Sequence, residues 1–393
     1  MTQKTNNNKI SVAVSMLMYN SSADQNYEHD IDFLRKLSEK ANVYLIVERG
    51  IESPAIEMKG LYVQTAKSRF LRIIQHFFLL LRLRLNGVTV FYSRNSLMNA
   101  VLAGLITRAV GGATYLWSCG EIRKGRAATR HEKGLFNYLL EIWAYRLSFF
   151  LIRGLVTGTR KMKEYYSHAF SIPQKKIFVL PNFVDLHRFS PDHISVSKRK
   201  RDLKFPDDGF VLLFPRSLSE RHGTKVLPEL ISLLVDKGVD VYLVASGRGQ
   251  LHGWLQDEMQ RRGLKERLRI LGGVPNIEMP SLFAASDVTI IPSVTEGFPR
   301  VLLESMAVGI PFVANSVGGV PDVIADEQTE LLAPVGNLEK FAENIIRLYA
   351  DSEWRNSMIE VGYKRVSEFD VSPVVDDFVH LFQSGSDKVL GAQ

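Results

Sequence analysis

Short apolar runs alternate with longer helical patterns along the whole chain. In the first half the strand-like runs are "ISVAVSML", "VYLIVER", "VTVFYSR", "TYLWSC", "GLVTGT" and "IFVLPN", and helical patterns lie between them at 24–40, 67–86, 95–110 and 131–149. The second half continues with "FVLLFPR", "VYLVASG", "LRILGG", "VTIIPS", "PFVANS" and "ELLAPV". Uninterrupted Val, Ile and Leu runs indicate strands buried on both faces, as in parallel sheets covered by helices. Two such series predict an α/β protein with two Rossmann-like domains.

The apolar pattern is interrupted once, at residues 181–202, where polar and basic residues dominate. We therefore expect an N-terminal domain at 1–185 and a second domain at 186–370. The length of 393 residues suits two domains of ordinary size, and 46% hydrophobic against 23% charged residues is typical of a folded chain.

Cysteine content and the N-terminus bear on the compartment. The single cysteine, Cys119, excludes an internal disulfide and fits a reducing environment. The polar start "MTQKTNNNKI" runs directly into the first strand, so we expect no signal peptide. Arginines interrupt the longest apolar stretches, so no membrane span is expected either. These observations predict a cytoplasmic protein.

Charge is distributed unevenly. Residues 1–190 contain 27 Lys and Arg against 13 Asp and Glu, whereas the remainder holds 22 basic and 29 acidic residues. The basic half is expected to meet something anionic: a phosphorylated substrate, an anionic lipid or a nucleic acid.

Two glutamates stand eight positions apart around a Gly-Phe-Pro turn in "TEGFPRVLLESMAVG". The segment predicts a loop and then a helix that has Pro299 in its first turn and stops at Gly309. Helical side chains lean toward the helix N-terminus, so Glu304 is expected to reach the same opening as Glu296. Carboxylates accept hydrogen bonds from hydroxyl groups, and free helix N–H groups bind anions. A nucleotide sugar would use both features. On spacing alone, a capping role for Glu296 and a solvated position for Glu304 stay open.

The longer run "PSVTEGFPRVLLESMAVGIPFVANSVGGVPDVI" closely resembles the signature of retaining family-4 glycosyltransferases of the GT-B fold (glycosyl transferases group 1). The resemblance covers the second domain and, for the first, only its architecture. It implies two Rossmann-like domains facing each other across a cleft, and residues 371–393 as a helix that crosses back to the first domain. It also implies a metal-independent transfer from a nucleotide diphosphate sugar, with no separate cofactor.

The resemblance assigns roles residue by residue. Glu296 and the backbone of Phe298, Pro299, Arg300 and Val301 would hold the donor sugar, and Glu304 the ribose.

For the diphosphate, the resemblance implies two cations after the first strand of the second domain. Arg216 matches the arginine of the family, and Arg221 stands at its lysine position, with Lys225 as an alternative. Gly247 in "ASGRGQ" and Gly273 and Val274 in "LGGVPN" would lie near the base. Glu296, Arg216 and Arg221 are the expected catalytic residues.

The first domain departs from the family pattern in two places. The loop "MLMYNSSADQNYEHD" has no glycine pair, so Asn20, Ser21 and Ser22 are left as its hydrogen-bond donors. Cys119 occupies the place of a histidine that contacts the donor sugar. Either Ser118 or Glu121 replaces it, or the donor sugar differs, or Cys119 is a small apolar filler.

No metal site is expected, because no His, Cys and carboxylate cluster has ligand spacing. The "DID" at Asp30 to Asp32 resembles an Asp-x-Asp metal motif but lies early in a helix, where a solvated face is expected.

The helical pattern at 67–86 is amphipathic, and a basic run follows at Arg123 to Lys133. The helix either covers the sheet or, with the basic run, docks on anionic lipid at the inner face of the cell membrane.

The expected partners are thus a nucleotide-sugar donor, a glycan or lipid-linked acceptor and an anionic membrane, and no nucleic acid. Cell-envelope polysaccharide or glycolipid synthesis is the expected setting. A same-fold epimerase or phosphorylase, or a catalytically degraded adaptor, remains an alternative.

Overall fold

The computed structural model describes residues 9–18, 27–49, 56–64, 66, 68–120, 135–190, 203 and 205–390. The chain divides between Pro181 and Asn182 and again between Asp370 and Val371. Residues 182–370 form one compact unit, called here the C-terminal unit. The N-terminal segment and the final helix form the other, called the N-terminal unit.

The N-terminal unit is a seven-stranded parallel sheet in the order β3-β2-β1-β4-β5-β6-β7. Its strands are β1 Ser11–Met18, β2 Asn42–Arg49, β3 Gly60–Val63, β4 Val90–Arg94, β5 Ala113–Trp117, β6 Gly154–Thr157 and β7 Ile177–Val179. Its helices are α1 Tyr27–Lys40, α2 Arg69–Leu85, α3 Leu97–Val110, α4 Leu135–Leu151 and α5 Arg160–Phe170.

The C-terminal unit is a six-stranded parallel sheet in the order β10-β9-β8-β11-β12-β13. Its strands are β8 Phe210–Phe214, β9 Val241–Ala245, β10 Leu268–Ile270, β11 Val288–Ile291, β12 Phe312–Asn315 and β13 Leu332–Ala333. Its helices are α6 Leu227–Asp236, α7 His252–Arg261, α8 Met279–Ala284, α9 Arg300–Val308, α10 Val320–Val323, α11 Leu338–Ala350 and α12 Ser352–Val366.

The last helix, α13 Val371–Leu390, belongs to the N-terminal unit. Phe378 packs edge-on against Phe33 with 5.0 Å between ring centroids, and Phe382 packs against Tyr92 at 5.4 Å. Large aromatic rings therefore fix α13 against α1 and the sheet.

Each sheet reverses its strand order at one place. In the N-terminal unit the chain runs outward from β1 in both directions, and in the C-terminal unit from β8. Open parallel sheets bind ligands at the carboxyl ends of the two strands that flank such a switch point. The fold therefore points to two crevices, one after β1 and β4 and one after β8 and β11.

The predicted α/β class is confirmed, since every predicted apolar run contains a strand. β3 was missed because a four-residue segment at the sheet edge carries too little periodicity to recognise. Among the described residues, no helix has the length and apolarity that a bilayer span needs.

Helix α2 covers the sheet, as one of the two alternatives predicted. Leu80 and Leu83 enter the core together with His76, which is fully buried and lies 2.8 Å from the Asn99 amide oxygen of α3. The sequence pattern placed His76 on the polar side, whereas Phe70 and Phe78, on the apolar side, are 70% and 62% exposed. The hydrogen bond to Asn99 allows a polar ring to replace an apolar one in the core.

The expectation of a solvated face at Asp30 to Asp32 is wrong. Asp32 is 3% exposed and pairs with Arg35 at 3.1 Å, and Asp30 pairs with Arg94 at 2.6 Å. Arg94 is itself buried and stacks over the rings of Trp117 and Phe33. Asp30 thus neutralises Arg94 at the carboxyl end of β4, and Asp32 pairs with Arg35 within α1.

Candidate active site

The switch point of the C-terminal unit carries a buried ion pair. Arg216 follows β8, Glu296 follows β11, and an Arg216 Nη2–H donates to Glu296 Oε1. The Glu296 side chain is 3% exposed and that of Arg216 is 15% exposed. The sequence separates these residues by 80 positions, and the parallel sheet brings them together. The Arg216 Nε–H is buried and has no hydrogen-bond partner in the described part of the chain.

Helix α9 follows directly and brings Glu304 to the same part of the unit. Pro299 is its N-cap residue, with φ −77° and ψ 102°, and Gly309 ends it in the left-handed region at φ 80°. The stop at Gly309 falls where the sequence predicted it, whereas Pro299, predicted in the first turn, lies one residue before that turn. Every residue from Val301 to Val308 is buried, so Glu304, at 2% exposure, is a carboxylate inside the unit and not a solvated one.

The loop after β8 is fixed to the loop after β11 by its backbone. The Val294 N–H donates to the Arg221 carbonyl at 3.0 Å, two residues before Glu296. The Arg221 side chain is exposed, and Lys225 pairs with exposed Glu220. The structure thus places Arg221 on the rim of the crevice, and its predicted contact with a diphosphate stays a prediction.

Two glycines allow the neighbouring loops to approach this pair. A Cβ on Gly247 would lie 2.1 Å from the Arg216 carbonyl oxygen, so the loop after β9 needs glycine there. A Cβ on Gly318, which has φ +51°, would lie 1.7 Å from the Glu296 carbonyl oxygen. The carbonyl of Glu296 also accepts the Gly319 N–H at 3.1 Å. The loops after β9 and β12 are therefore packed on Arg216 and Glu296 from either side.

The remaining sequence-predicted residues lie at two positions around this crevice. Phe298 is 8% exposed, its carbonyl accepts from the buried Asn182 amide at 3.4 Å, and Arg300 and Val301 begin α9. Gly273 and Val274 are half-buried in the loop after β10, one strand beyond β9. The structure brings the first set beside Glu296 and places the second at the edge of the sheet.

Sequence reasoning missed His222. Its Nδ1 lies 2.7 Å from Ser217 Oγ and 3.1 Å from Ser219 Oγ, and burial lowers the pKa of His222 to about 4. The positive charge of Arg216 lowers this pKa further, whereas Glu296 opposes the shift. His222 is therefore a neutral ring beside the Arg216–Glu296 pair at pH 7. Its place next to Arg221 in "SERHG" was the available signal.

In the N-terminal unit, Cys119 is half-buried and packs against an apolar cluster that includes Leu116, Phe149 and Tyr166. Ser118 Oγ lies 2.9 Å from the Tyr166 hydroxyl. These contacts favour the filler interpretation of Cys119. Glu121, the basic run at 123–133 and Asn20 to Ser22 lie outside the described residues.

The arrangement has the chemistry that a polyol phosphate ester needs. Buried carboxylates accept hydroxyl hydrogen bonds, a guanidinium binds phosphate oxygens, and the N-terminus of α9 adds N–H groups. No group of three metal-ligating side chains occurs among the residues that the structure describes.

Comparisons with known proteins identify the fold. The structure of Anabaena HepE in complex with UDP-glucose superimposes with a TM-score of 0.74 at 16% identity, over 95% of this chain and 100% of that one. The chain therefore has the two-domain GT-B glycosyltransferase fold, and the predicted fold class is confirmed.

The family follows from the sequence of the C-terminal unit. Residues 195–365 match the family model "Glycosyl transferases group 1", so the chain carries a domain of that family, as the signature at 292–324 indicated.

Two curated relatives are similar over part of the chain. The 2-deoxystreptamine glucosyltransferase of Streptomyces kanamyceticus is 27% identical over 54% of this chain and 54% of its own length. The UDP-Gal:alpha-D-GlcNAc-diphosphoundecaprenol alpha-1,3-galactosyltransferase of Escherichia coli is 26% identical over 56% of this chain and 56% of its own length. The chain spans about half the length of the curated relatives it matches.

Proposed function

We propose that this protein is a retaining glycosyltransferase that moves a sugar from a nucleotide diphosphate sugar to a glycan or lipid-linked acceptor, in cell-envelope polysaccharide or glycolipid synthesis. The observation that carries the proposal is the buried Arg216–Glu296 pair at the switch point of the C-terminal unit, beside the helix that holds Glu304. UDP-glucose in the similar Anabaena structure and the undecaprenol-linked acceptor named for the Escherichia coli relative support the two substrate classes.

The pair has a direct role in donor binding. In the structure, the Glu296 carboxylate neutralises Arg216 as a phosphate would. When the donor binds, a diphosphate oxygen takes the guanidinium, and Glu296 becomes free to accept from a sugar hydroxyl. Arg216 then stabilises the negative charge that grows on the diphosphate.

Transfer breaks the bond between the sugar C1 and the diphosphate oxygen, and the electron pair leaves with the phosphate. The acceptor hydroxyl oxygen forms the new bond to C1, and its proton passes to the departing phosphate oxygen. No separate base is needed for this step, and retention follows if the acceptor approaches from the side that the phosphate leaves.

Product analysis tests this function. Wild-type protein is incubated with a panel of uridine, guanosine and adenosine diphosphate sugars and candidate acceptors, and products are identified by mass and by the NMR coupling of the anomeric proton. The proposal predicts one transferred sugar with retained configuration. An epimerised nucleotide sugar or a sugar phosphate would instead establish one of the alternative enzymes, and no turnover of any donor would favour an adaptor.

We further propose that the N-terminal unit docks on an anionic membrane, at its cytoplasmic side. Helix α3 packs between α2 and α4, and these helices expose large apolar side chains at helical spacing. Those on α2 are Phe70, Ile74 and Phe78, and those on α4 are Leu139, Trp143, Leu147 and Phe150.

Charge on this surface suits anionic lipid. The sequences of α2, α3 and α4 contain six arginines and a single acidic residue, Glu141. Exposed aromatic side chains with arginines around them are typical of helices that lie in the membrane interface.

Vesicle flotation tests the docking. Wild-type protein should float with phosphatidylglycerol vesicles at low salt and less at high salt, and Phe78→Ser with Trp143→Ser should float at least tenfold less. Trp254→Ser is the matched control, since Trp254 is also exposed but lies in the C-terminal unit. Equal flotation of the double variant and the wild type would contradict this assignment.

A further inference from the structure

His222 is a titratable side chain of the C-terminal unit that has no part in the sugar transfer described above. It lies half-buried in the loop after β8. Gly223 follows it with φ 79°, and a Cβ on Gly223 would lie 2.1 Å from the Pro292 carbonyl oxygen at the end of β11. On the other side, the Arg221 carbonyl accepts the Val294 N–H at 3.0 Å. The backbone at His222 is therefore held against the carboxyl end of β11.

Oxygens of the same loop surround one nitrogen of the His222 ring. Nδ1 lies 2.7 Å from Ser217 Oγ, 3.1 Å from Ser219 Oγ and 3.1 Å from the Ser217 carbonyl oxygen. A carbonyl oxygen only accepts, so its hydrogen bond requires the ring proton on Nδ1, whereas the hydroxyls can donate or accept. No hydrogen bond to Nε2 is formed within the part of the chain that the structure describes. Nε2 is therefore the nitrogen that can take up a second proton.

The charges next to the ring are those of the donor site. Burial is the largest cause that lowers the pKa of His222 to about 4; Arg216 lowers this pKa further, and Glu296 raises it. The other charged side chains of the loops after β8 and β9 are exposed: Glu220, Arg221, Lys225 and Arg248. The ring is thus neutral at pH 7 while Arg216 and Glu296 pair with each other.

A bound diphosphate would change this balance of charge. It carries two negative charges, and Arg216 is the cation that the structure places inside the crevice, since Arg221 and Lys225 lie on its rim. Once a phosphate oxygen takes the guanidinium of Arg216, both the phosphates and the released Glu296 carboxylate act on the ring. Nearby negative charge favours the protonated imidazole, which donates a charge-assisted hydrogen bond. Histidine is the side chain that changes its charge most readily near neutral pH.

We propose that His222 takes up a proton from solvent when the nucleotide sugar binds, and that the imidazolium then donates from Nε2 to a diphosphate oxygen. Arg216 and His222 together give each phosphate a positive partner inside the crevice. Donor affinity is thereby coupled to pH and rises as the solution becomes more acidic. The inference rests on the proposed transferase function, since it concerns the donor of that reaction.

Counting protons during donor binding tests the inference. Wild-type protein is titrated with UDP-glucose, GDP-mannose and ADP-glucose in a calorimeter at pH 5.5 and 7.5, in two buffers of different ionisation enthalpy. Neither the diphosphate nor the base of these compounds ionises in this range, so proton uptake belongs to the protein. At pH 5.5 the wild type should take up more than about half a proton per donor, and its affinity should be at least about fivefold higher than at pH 7.5.

Two variants distinguish proton uptake from a structural role. His222→Gln should take up no proton and should bind the donor equally at both pH values. His222→Lys carries a positive charge at both pH values, so its affinity should be independent of pH and, at pH 7.5, no lower than that of the wild type. His380→Gln is the matched control, because His380 is exposed on α13 of the N-terminal unit. It should behave as the wild type does.

Two results would overturn the proposal. One is donor binding by the wild type without proton uptake, a count that needs no variant. The other is unchanged proton uptake in His222→Gln, which would assign the proton to Glu296.

The same titrations separate this proposal from the function it rests on. Donor binding and turnover without proton uptake leave the transferase function intact and reject the role of His222. No binding and no turnover of any donor at either pH rejects both.

Discussion

Replacing Glu296 with glutamine separates the two roles of its carboxylate. Glutamine keeps the size of the side chain and an accepting oxygen but removes the charge that neutralises Arg216. Both side chains are largely buried, so Arg216 loses its ionic partner where water replaces it poorly. A hydrogen bond between charged groups contributes about 1.5–3 kcal/mol, and glutamine retains part of it. We expect the free energy of unfolding to fall by about 1–2 kcal/mol, which lowers Tm by about 2–8 °C for a domain of this size.

Ligand binding and turnover should move in opposite directions in this variant. A nucleoside diphosphate no longer competes with a carboxylate for Arg216, so its affinity should rise by up to about tenfold, or 1.4 kcal/mol. Turnover of the donor should fall by about 10²–10³-fold, since the sugar loses a charged acceptor that acts in the transition state.

Calorimetry with uridine, guanosine and adenosine diphosphates gives the affinity, and release of diphosphate from the donor gives the rate. Glu327→Gln is the control, because Glu327 is exposed in the same unit. Wild-type turnover in the Glu296→Gln protein would refute the role of Glu296. A tenfold weaker affinity for the diphosphate would refute the competition for Arg216.

Three further predictions follow from the same site. Gly247→Ala should lower the free energy of unfolding by about 1–3 kcal/mol, because the added Cβ would lie 2.1 Å from the Arg216 carbonyl oxygen. Gly253→Ala in α7 is the control: the space around Gly253 is open, so the free energy of unfolding, measured by heat or urea, should rise by up to about 1 kcal/mol. Because the pKa of His222 is about 4 in the folded protein, the unfolded chain binds a proton at this residue at a higher pH than the folded chain does. Between pH 4 and 6.5, Tm should therefore rise with pH more steeply in the wild type than in His222→Gln. Equal slopes for the two proteins would contradict this. Glu304→Gln should raise the KM for the nucleotide sugar about tenfold with a smaller change in kcat, and an unchanged KM would show that Glu304 does not touch the ribose.

Much of the site could be predicted because the apolar runs marked the strands of parallel sheets. The carboxyl ends of parallel strands lie at one edge of the sheet, so Arg216 and Glu296 were expected together despite the long stretch of chain between them. The ends of α9 were also predictable, since Pro299 and Gly309 act through the local backbone.

The unpredicted features depend on partners distant in sequence. The burial of His76 requires Asn99 of another helix, and the pairing of Asp30 requires Arg94 at a strand end. The helical periodicity of α2 therefore assigned the wrong environment to His76 and to Phe78. His222 was missed for the same reason, because its low pKa arises from burial and from Arg216.

Release of nucleoside diphosphate from a panel of nucleotide sugars, by the wild type and by Arg216→Gln, shows whether Arg216 acts in sugar transfer. The proposed donor site predicts that the wild type turns over at least one donor and that Arg216→Gln does so at least 100-fold more slowly, while circular dichroism shows both proteins folded. Equal rates for the two proteins, or no turnover of any donor by the wild type with acceptor present, would contradict it.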